Sequence, residues 1–148
     1  MIPYGKQDIN QADIDSVVDV LHSDFLTQGP QVPLFENTVA SYCNVKYAVA
    51  ANSATSALHI ACLSLGLKEG DWLWTSPNSF VASANCGLYC GAKIDFVDID
   101  PNSYNLSVND LKKKLEFAKK KKKLPKLIVV VHFAGQPADL KKIYKLSK

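Results

Sequence analysis

The chain has 148 residues, 47% hydrophobic and 21% charged, which is enough for about one domain with a sizeable core and too long for a disulfide-stapled miniprotein. No apolar run reaches the roughly 18 residues that span a bilayer, and the opening Met1-Ile2-Pro3-Tyr4-Gly5-Lys6 lacks an apolar stretch behind a basic start, so a soluble, cytoplasmic protein without a membrane partner is expected. The net charge of +3 conceals nine lysines against one acid, Glu116, between Lys112 and Lys126; all seventeen basic residues are lysine, and without the planar guanidinium fork a nucleic-acid partner is disfavoured.

In chain order, Asn10 and Asp13 precede Ile14, Val17, Val18 and Leu21, whose spacing predicts an amphipathic helix ending near Ser23. Residues 24–33 hold Gly29, Pro30 and Pro33 and read as a loop, followed by a helical stripe of Phe35, Val39 and Tyr42. From Lys46 short apolar runs alternate with helical segments. Tyr47 to Ala51 is a first candidate strand, then a helix through Leu58, Cys62 and Leu65 stops at Gly66. Asp71 to Thr75 is a second strand, with a helix from about Phe80 to Cys90 ending at Gly91. Lys93 to Val97 is a third, and Ser107 with Asp110 forms a capping box for a helix bearing Leu111 and Leu115. Leu127 to Phe133, rich in β-branched residues, is a fourth. Asp139 caps a last helix carrying Leu140, Ile143 and Leu146, and the chain then stops without a terminator, as though cut off. The plan is α/β with mainly parallel strands: a helical segment over 1–45 and an incomplete α/β domain over 46–148.

In such a sheet, ligands gather at the carboxyl ends of the strands, where helix N-termini present unpaired amides. Asn52-Ser53-Ala54-Thr55-Ser56 has no glycine, so it is neither a dinucleotide fingerprint nor a triphosphate loop. Its amides and hydroxyls suit one phosphate monoester, or it is ordinary helix capping by Asn52 or Ser53. Phe80 either offers a platform to a planar ligand or packs in the core. Asp95, Asp98 and Asp100 are explained by a turn at Asp100-Pro101 more cheaply than as metal ligands, and no metal site is expected. His132 at the last strand's end either touches a ligand or bonds backbone. Cys43, Cys62, Cys86 and Cys90 lack CxxC spacing and read as buried free thiols. The lysine run is most simply a solvated face.

Taken together, Ile2-Pro3-Tyr4-Gly5-Lys6-Gln7, Phe25-Leu26-Thr27-Gln28-Gly29-Pro30, Asn52-Ser53-Ala54-Thr55-Ser56-Ala57-Leu58, Thr75-Ser76-Pro77 with Phe80-Val81-Ala82, Val97-Asp98-Ile99-Asp100 and His132-Phe133-Ala134-Gly135-Gln136-Pro137 resemble the DegT/DnrJ/EryC1/StrS sugar aminotransferases. The resemblance implies the N-terminal part of the large domain of fold-type I pyridoxal-phosphate enzymes. It implies that Ser53, Ala54 and Thr55 hold the cofactor phosphate, that Phe80 stacks on the pyridine ring, and that Tyr4, Thr27, Gln28 and His132 lie near the sugar substrate. The implied reaction moves an amino group from glutamate to the C4 keto carbon of a UDP-linked 4-keto-6-deoxy amino sugar, as in pseudaminic acid biosynthesis, in a homodimer.

That chemistry needs a Schiff-base lysine and a carboxylate to keep the pyridine nitrogen protonated. In the family both lie beyond the position of Lys148, so this chain is expected to hold no catalytic residue and not to transaminate alone. The rival readings are a fragment of an NAD-binding Rossmann-type sugar-nucleotide oxidoreductase or epimerase, disfavoured by the missing glycines, and a non-catalytic binding module.

Overall fold

The computed structural model describes residues 5–148. Tyr4, one of the expected substrate contacts, lies outside the described residues. The chain forms two compact units, Met1–Ala50 and Ala51–Lys148.

The first unit contains α1 (Gln11–Leu21) and α2 (Gln31–Tyr42). Asn10 starts α1 by a reciprocal capping box: its side chain accepts from the amides of Ala12 at 2.8 Å and Asp13 at 3.3 Å, and Asp13 accepts from its amide at 2.9 Å. Helix α2 begins inside the expected loop and includes Pro33, which the first turn of a helix tolerates because its amide needs no partner there. The expected strand over 47–51 is not formed. Its Tyr47 and Val49 side chains stay 74% and 78% exposed, and its tie is an amide, that of Ala50, donating to Glu36 Oε1 at 2.8 Å. An apolar run becomes a strand only against a neighbouring ladder, and among the described residues this one has none.

The second unit is a parallel sheet flanked by helices: α3 (Ala54–Ser64), β1 (Trp72–Thr75), α4 (Ala82–Tyr89), β2 (Lys93–Phe96), α5 (Val108–Lys120), β3 (Leu127–Ile128) and α6 (Leu140–Leu146), with strand order β2-β1-β3. Successive β1 side chains point to opposite faces. Leu73 joins Cys62, Leu67, Cys86 and Ala92 beneath α3 and α4, and Trp74 joins Val97, Leu106, Leu111, Ala118 and Ile143 beneath α5 and α6. Both faces are therefore covered, as parallel strands require.

Strand β3 is shorter than the expected run to Phe133. Pro77 ends β1, since proline has no amide to donate to a ladder. The Thr75 hydroxyl then donates to the Val129 carbonyl at 3.0 Å, and the chain beyond outruns its partner. The expected ends of α3 and α4 hold, with Gly66 and Gly91 at φ +70° and +73°.

Two lysines leave the expected solvated face. Lys114 folds onto the sheet, pairing with Asp95 at 2.7 Å, donating to the Phe96 carbonyl and lying 4.9 Å from the Trp74 ring centre. Lys126 reaches Asp71 at 3.2 Å and the Gly66 carbonyl, joining the start of β3 to the turns before β1.

Helix α4 packs closely because Gly87 has no side chain: a Cβ there would lie 2.6 Å from Ile94 Cδ1 and 3.2 Å from Leu73 Cβ. We expect Gly87→Val to lower unfolding stability by about 1–3 kcal/mol through overpacking, of which better helix propensity recovers only a few tenths; a urea midpoint at or above wild type would contradict this packing.

Candidate functional site

The site follows from the direction of the strands. Helix α3 runs away from the carboxyl edge of the sheet and β1 returns to it, so the N-terminus of α3 and the loop after Thr75 share one edge, with the segments that follow β2 and β3.

At the start of α3, Ser53 is extended (φ −160°, ψ 156°) and its Oγ accepts from the Ser56 amide at 3.1 Å while donating to Ser56 Oγ at 3.0 Å. Ser53, rather than Asn52, is the cap. Capping by one serine leaves the amides of Ala54 and Thr55 without an acceptor among the described residues. No acidic side chain stands in that first turn, so the positive end of the helix dipole faces outward uncompensated. The capping and phosphate readings of this turn are thus compatible: the cap takes one amide and leaves two.

The loop 76–81 carries Phe80 with 76% of its surface exposed, so the ring does not pack in the core formed by the described residues. The backbone beneath is fixed: the Phe80 carbonyl accepts from the Ser83 amide at 3.0 Å, and Ser79 and Ser83 hydroxyls bond each other at 2.6 Å. A fixed loop presenting a bare aromatic face is what a planar ligand can lie against.

In β2 and just beyond it, the aspartates hold local structure. Asp98 accepts from the Ile99 amide, and Asp95 is held by Lys114. Asp100 Oδ1 accepts from the amides of Ser103 and Asn102, each at 3.0 Å, which hold its carboxyl below the usual carboxylate range. Beyond β3, His132 is exposed, and its Nδ1 accepts from the Ala138 amide at 3.1 Å, which is the backbone-bonding alternative, while Nε2 has no hydrogen-bond partner among the described residues.

Ser53, Ala54, Thr55, Phe80 and His132 therefore belong to one edge of the second unit. Thr27 and Gln28 stand exposed in the first unit, in the loop between α1 and α2, with Gln28 at φ +55°. Among the cysteines, Cys62 and Cys86 are buried and Cys90 half-buried, but Cys43 is exposed, a correction to the uniform burial expected. Burial, with Cys86 beside it, pushes the Cys62 thiol up to about 11, so it is no nucleophile at neutral pH. A groove of about 950 Å³ between α5 and α6, lined by Leu115, Leu127, Ile143 and Tyr144, holds none of the residues above. The residue missed in the sequence is Asn105, buried beside the His132 loop; its one signal was a second asparagine close behind Asp100-Pro101-Asn102.

The DegT/DnrJ/EryC1/StrS aminotransferase family matches residues 7–148. The chain is 42% identical over 149 residues to UDP-4-amino-4,6-dideoxy-N-acetyl-beta-L-altrosamine transaminase of Campylobacter jejuni, covering all of this chain and 38% of that protein. It overlays on Helicobacter pylori PseC, an aminotransferase involved in the biosynthesis of pseudoaminic acid, with TM-score 0.87 and 33% identity, over 97% of this chain and 38% of that one. The PLP-form of Spr1654 from Streptococcus pneumoniae gives TM-score 0.86 and 27% identity over 98% and 36%. The chain thus spans little more than a third of the length of these proteins, and the expected α/β architecture, as part of a larger aminotransferase fold, agrees with the overlays.

Acid should lower the stability of the chain. The carboxyls of Asp71, Asp100, Asp110 and Asp139 are each held below the ordinary 3.8. Lowered values mean stability that is present above 3.8 and lost as pH falls through the folded-state values. We expect urea midpoints to be flat from pH 7 to about 5 and to fall below about 4, with Asp100→Asn, which keeps an acceptor but cannot titrate, showing a shallower fall. Identical acid profiles would contradict the role of the Asp100 turn.

Proposed function

The chain belongs to the DegT/DnrJ/EryC1/StrS aminotransferase family, and from that premise we propose that residues 53–56 and Phe80 form the phosphate and ring contacts of a pyridoxal 5'-phosphate site. The observation that carries the reading is the pair of unpaired amides at Ala54 and Thr55 on a helix start free of acids, with an exposed aromatic ring, Phe80, in the loop after β1. These residues fit the group: neutral amides and the Thr55 hydroxyl match a monoester's oxygens, and Phe80 matches a flat pyridine. When bound, this cofactor supplies an electron sink for moving an amino group between carbonyl carbons.

In this reading the chain's residues bind and orient. Ser53 holds the turn open, Ala54 and Thr55 bind the phosphate, and Phe80 fixes the plane of the ring. His132 donates from Nε2 to an oxygen of the sugar, while Thr27, Gln28 and Tyr4 add substrate contacts from the N-terminal segment, taken as 1–45, with 46–148 as the cofactor-binding part. The whole protein's reaction is transfer of an amino group from glutamate to the C4 keto carbon of a UDP-linked 4-keto-6-deoxy amino sugar, in a homodimer. The lysine and carboxylate that complete it belong to the family's remaining length, and this chain does not turn over alone. A cytoplasmic location is supported by the four free cysteines.

Ala54→Pro tests the cradle, because proline fits the first position of a helix and removes only an unpaired amide. We expect wild type to bind pyridoxal 5'-phosphate saturably, read by tryptophan fluorescence, and Ala54→Pro to weaken it about tenfold or more, the loss of one hydrogen bond to a charged group. Phe80→Ala should weaken the cofactor but not inorganic phosphate. Equal binding by Ala54→Pro, or tighter binding of NADH than of pyridoxal 5'-phosphate, overturns the reading and favours the oxidoreductase alternative.

A further inference from the structure

We infer that Asn105 is a positioning residue that sets the orientation and the tautomer of His132. The segment after β3 is the least regular part of the second unit: residues 133–135 form a single turn in which Ala134 and Gly135 have φ of +50° and +81°. An alanine rarely adopts a left-handed backbone unless the surroundings hold it there. Asn105, 4% exposed, does so from both sides. Its Oδ1 accepts from the Phe133 amide at 2.9 Å, and its Nδ2 donates to the Gln136 carbonyl at 3.0 Å. Because one contact needs a donor and the other an acceptor, the amide has one workable orientation.

His132 directly precedes Phe133, and the amide it accepts from, Ala138, lies two residues past Gln136. The two asparagine bonds thus fix the ends of the span that the imidazole bridges. With Nδ1 accepting, neutral His132 carries its proton on Nε2, pointing a donor outward. Asn105 is itself held by the Asp100 turn: its carbonyl accepts from the Asp100 amide at 2.8 Å, and Tyr104 packs its ring 6.2 Å from that of Phe133. The Asp100 turn after β2 is therefore linked to the His132 loop through Asn105.

The inference rests on His132 being a ligand-facing donor, but its test needs no ligand. With ring-15N histidine in the full chain above neutral pH, long-range 1H–15N NMR should show His132 wholly as the Nε2–H tautomer. Asn105→Ala should give a mixture of tautomers at His132 while His22 and His59 keep their signals, and Asn105→Asp, which retains the acceptor for Phe133 but loses the donor to the Gln136 carbonyl, should give a smaller shift toward Nδ1–H. A wild-type Nδ1–H tautomer, or an unchanged His132 in folded Asn105→Ala, overturns the inference. If Asn105→Ala unfolds, the Asn105→Asp population decides it: a shift toward Nδ1–H limited to His132 supports it, and no shift overturns it. Adding UDP-N-acetylglucosamine to wild type separates the two ideas: an unmoved Nε2 resonance counts against ligand contact and leaves the Asn105 role standing.

Discussion

Strand β1 is sealed on both faces, and the arrangement of the second unit follows from that. Leu73 and Trp74 are adjacent in sequence but belong to opposite clusters, so helices must cover both sides of a sheet only three strands wide. Covering both faces of parallel strands obliges each connection to cross back over the sheet. Each such return brings a helix start or loop to the carboxyl edge. The amides of α3, the Phe80 loop and the His132 loop share an edge for this topological reason, before any ligand is considered.

Charged groups then fix what the strands leave loose. Lys126 ties the amino edge together, and Asp71 shows the balance: burial pushes its carboxyl up, but the bond from Lys126 and the Lys68 amide bring it below its ordinary value. Lys114 lies over Trp74, whose buried indole N–H finds no acceptor among the described residues, at a typical cost of about 1–3 kcal/mol. The cation on the ring face and the Asp95 pair work against that cost. A lysine that reads as one of a solvated run is in fact part of the sheet's cover.

What the sequence disclosed was local. The helix starts at Asn10, Ser107 and Asp139 and the glycine stops at Gly66 and Gly91 depend on a few neighbouring residues, and they are legible for that reason. What was misread depends on distant partners. Residues 47–51 have strand composition without a ladder, β3 is cut short by the end of β1, and Asn105 acts on groups about thirty positions away. The site divides in the same way: the phosphate turn is one stretch of sequence, whereas the orientation of His132 is a tertiary fact.

The chemistry of the turn also limits what it can do. Ala54 and Thr55 offer neutral amides at the end of an 11-residue helix, and anions at such a position typically gain about 0.3–1 kcal/mol from the dipole, up to about 2 when partly buried. That is a modest grip, because the turn itself contains no lysine. In the proposed site, selectivity then comes from joining two weak contacts in one molecule, an anion at α3 and a flat ring at Phe80. A simple anion can use only the first contact, while a ligand carrying both groups at the right separation gains the second without a further loss of translational freedom. A glycine-free turn and an exposed ring are each unremarkable alone; in the proposed reading, their shared place at the ends of the strands makes a phosphorylated aromatic a better ligand than either half.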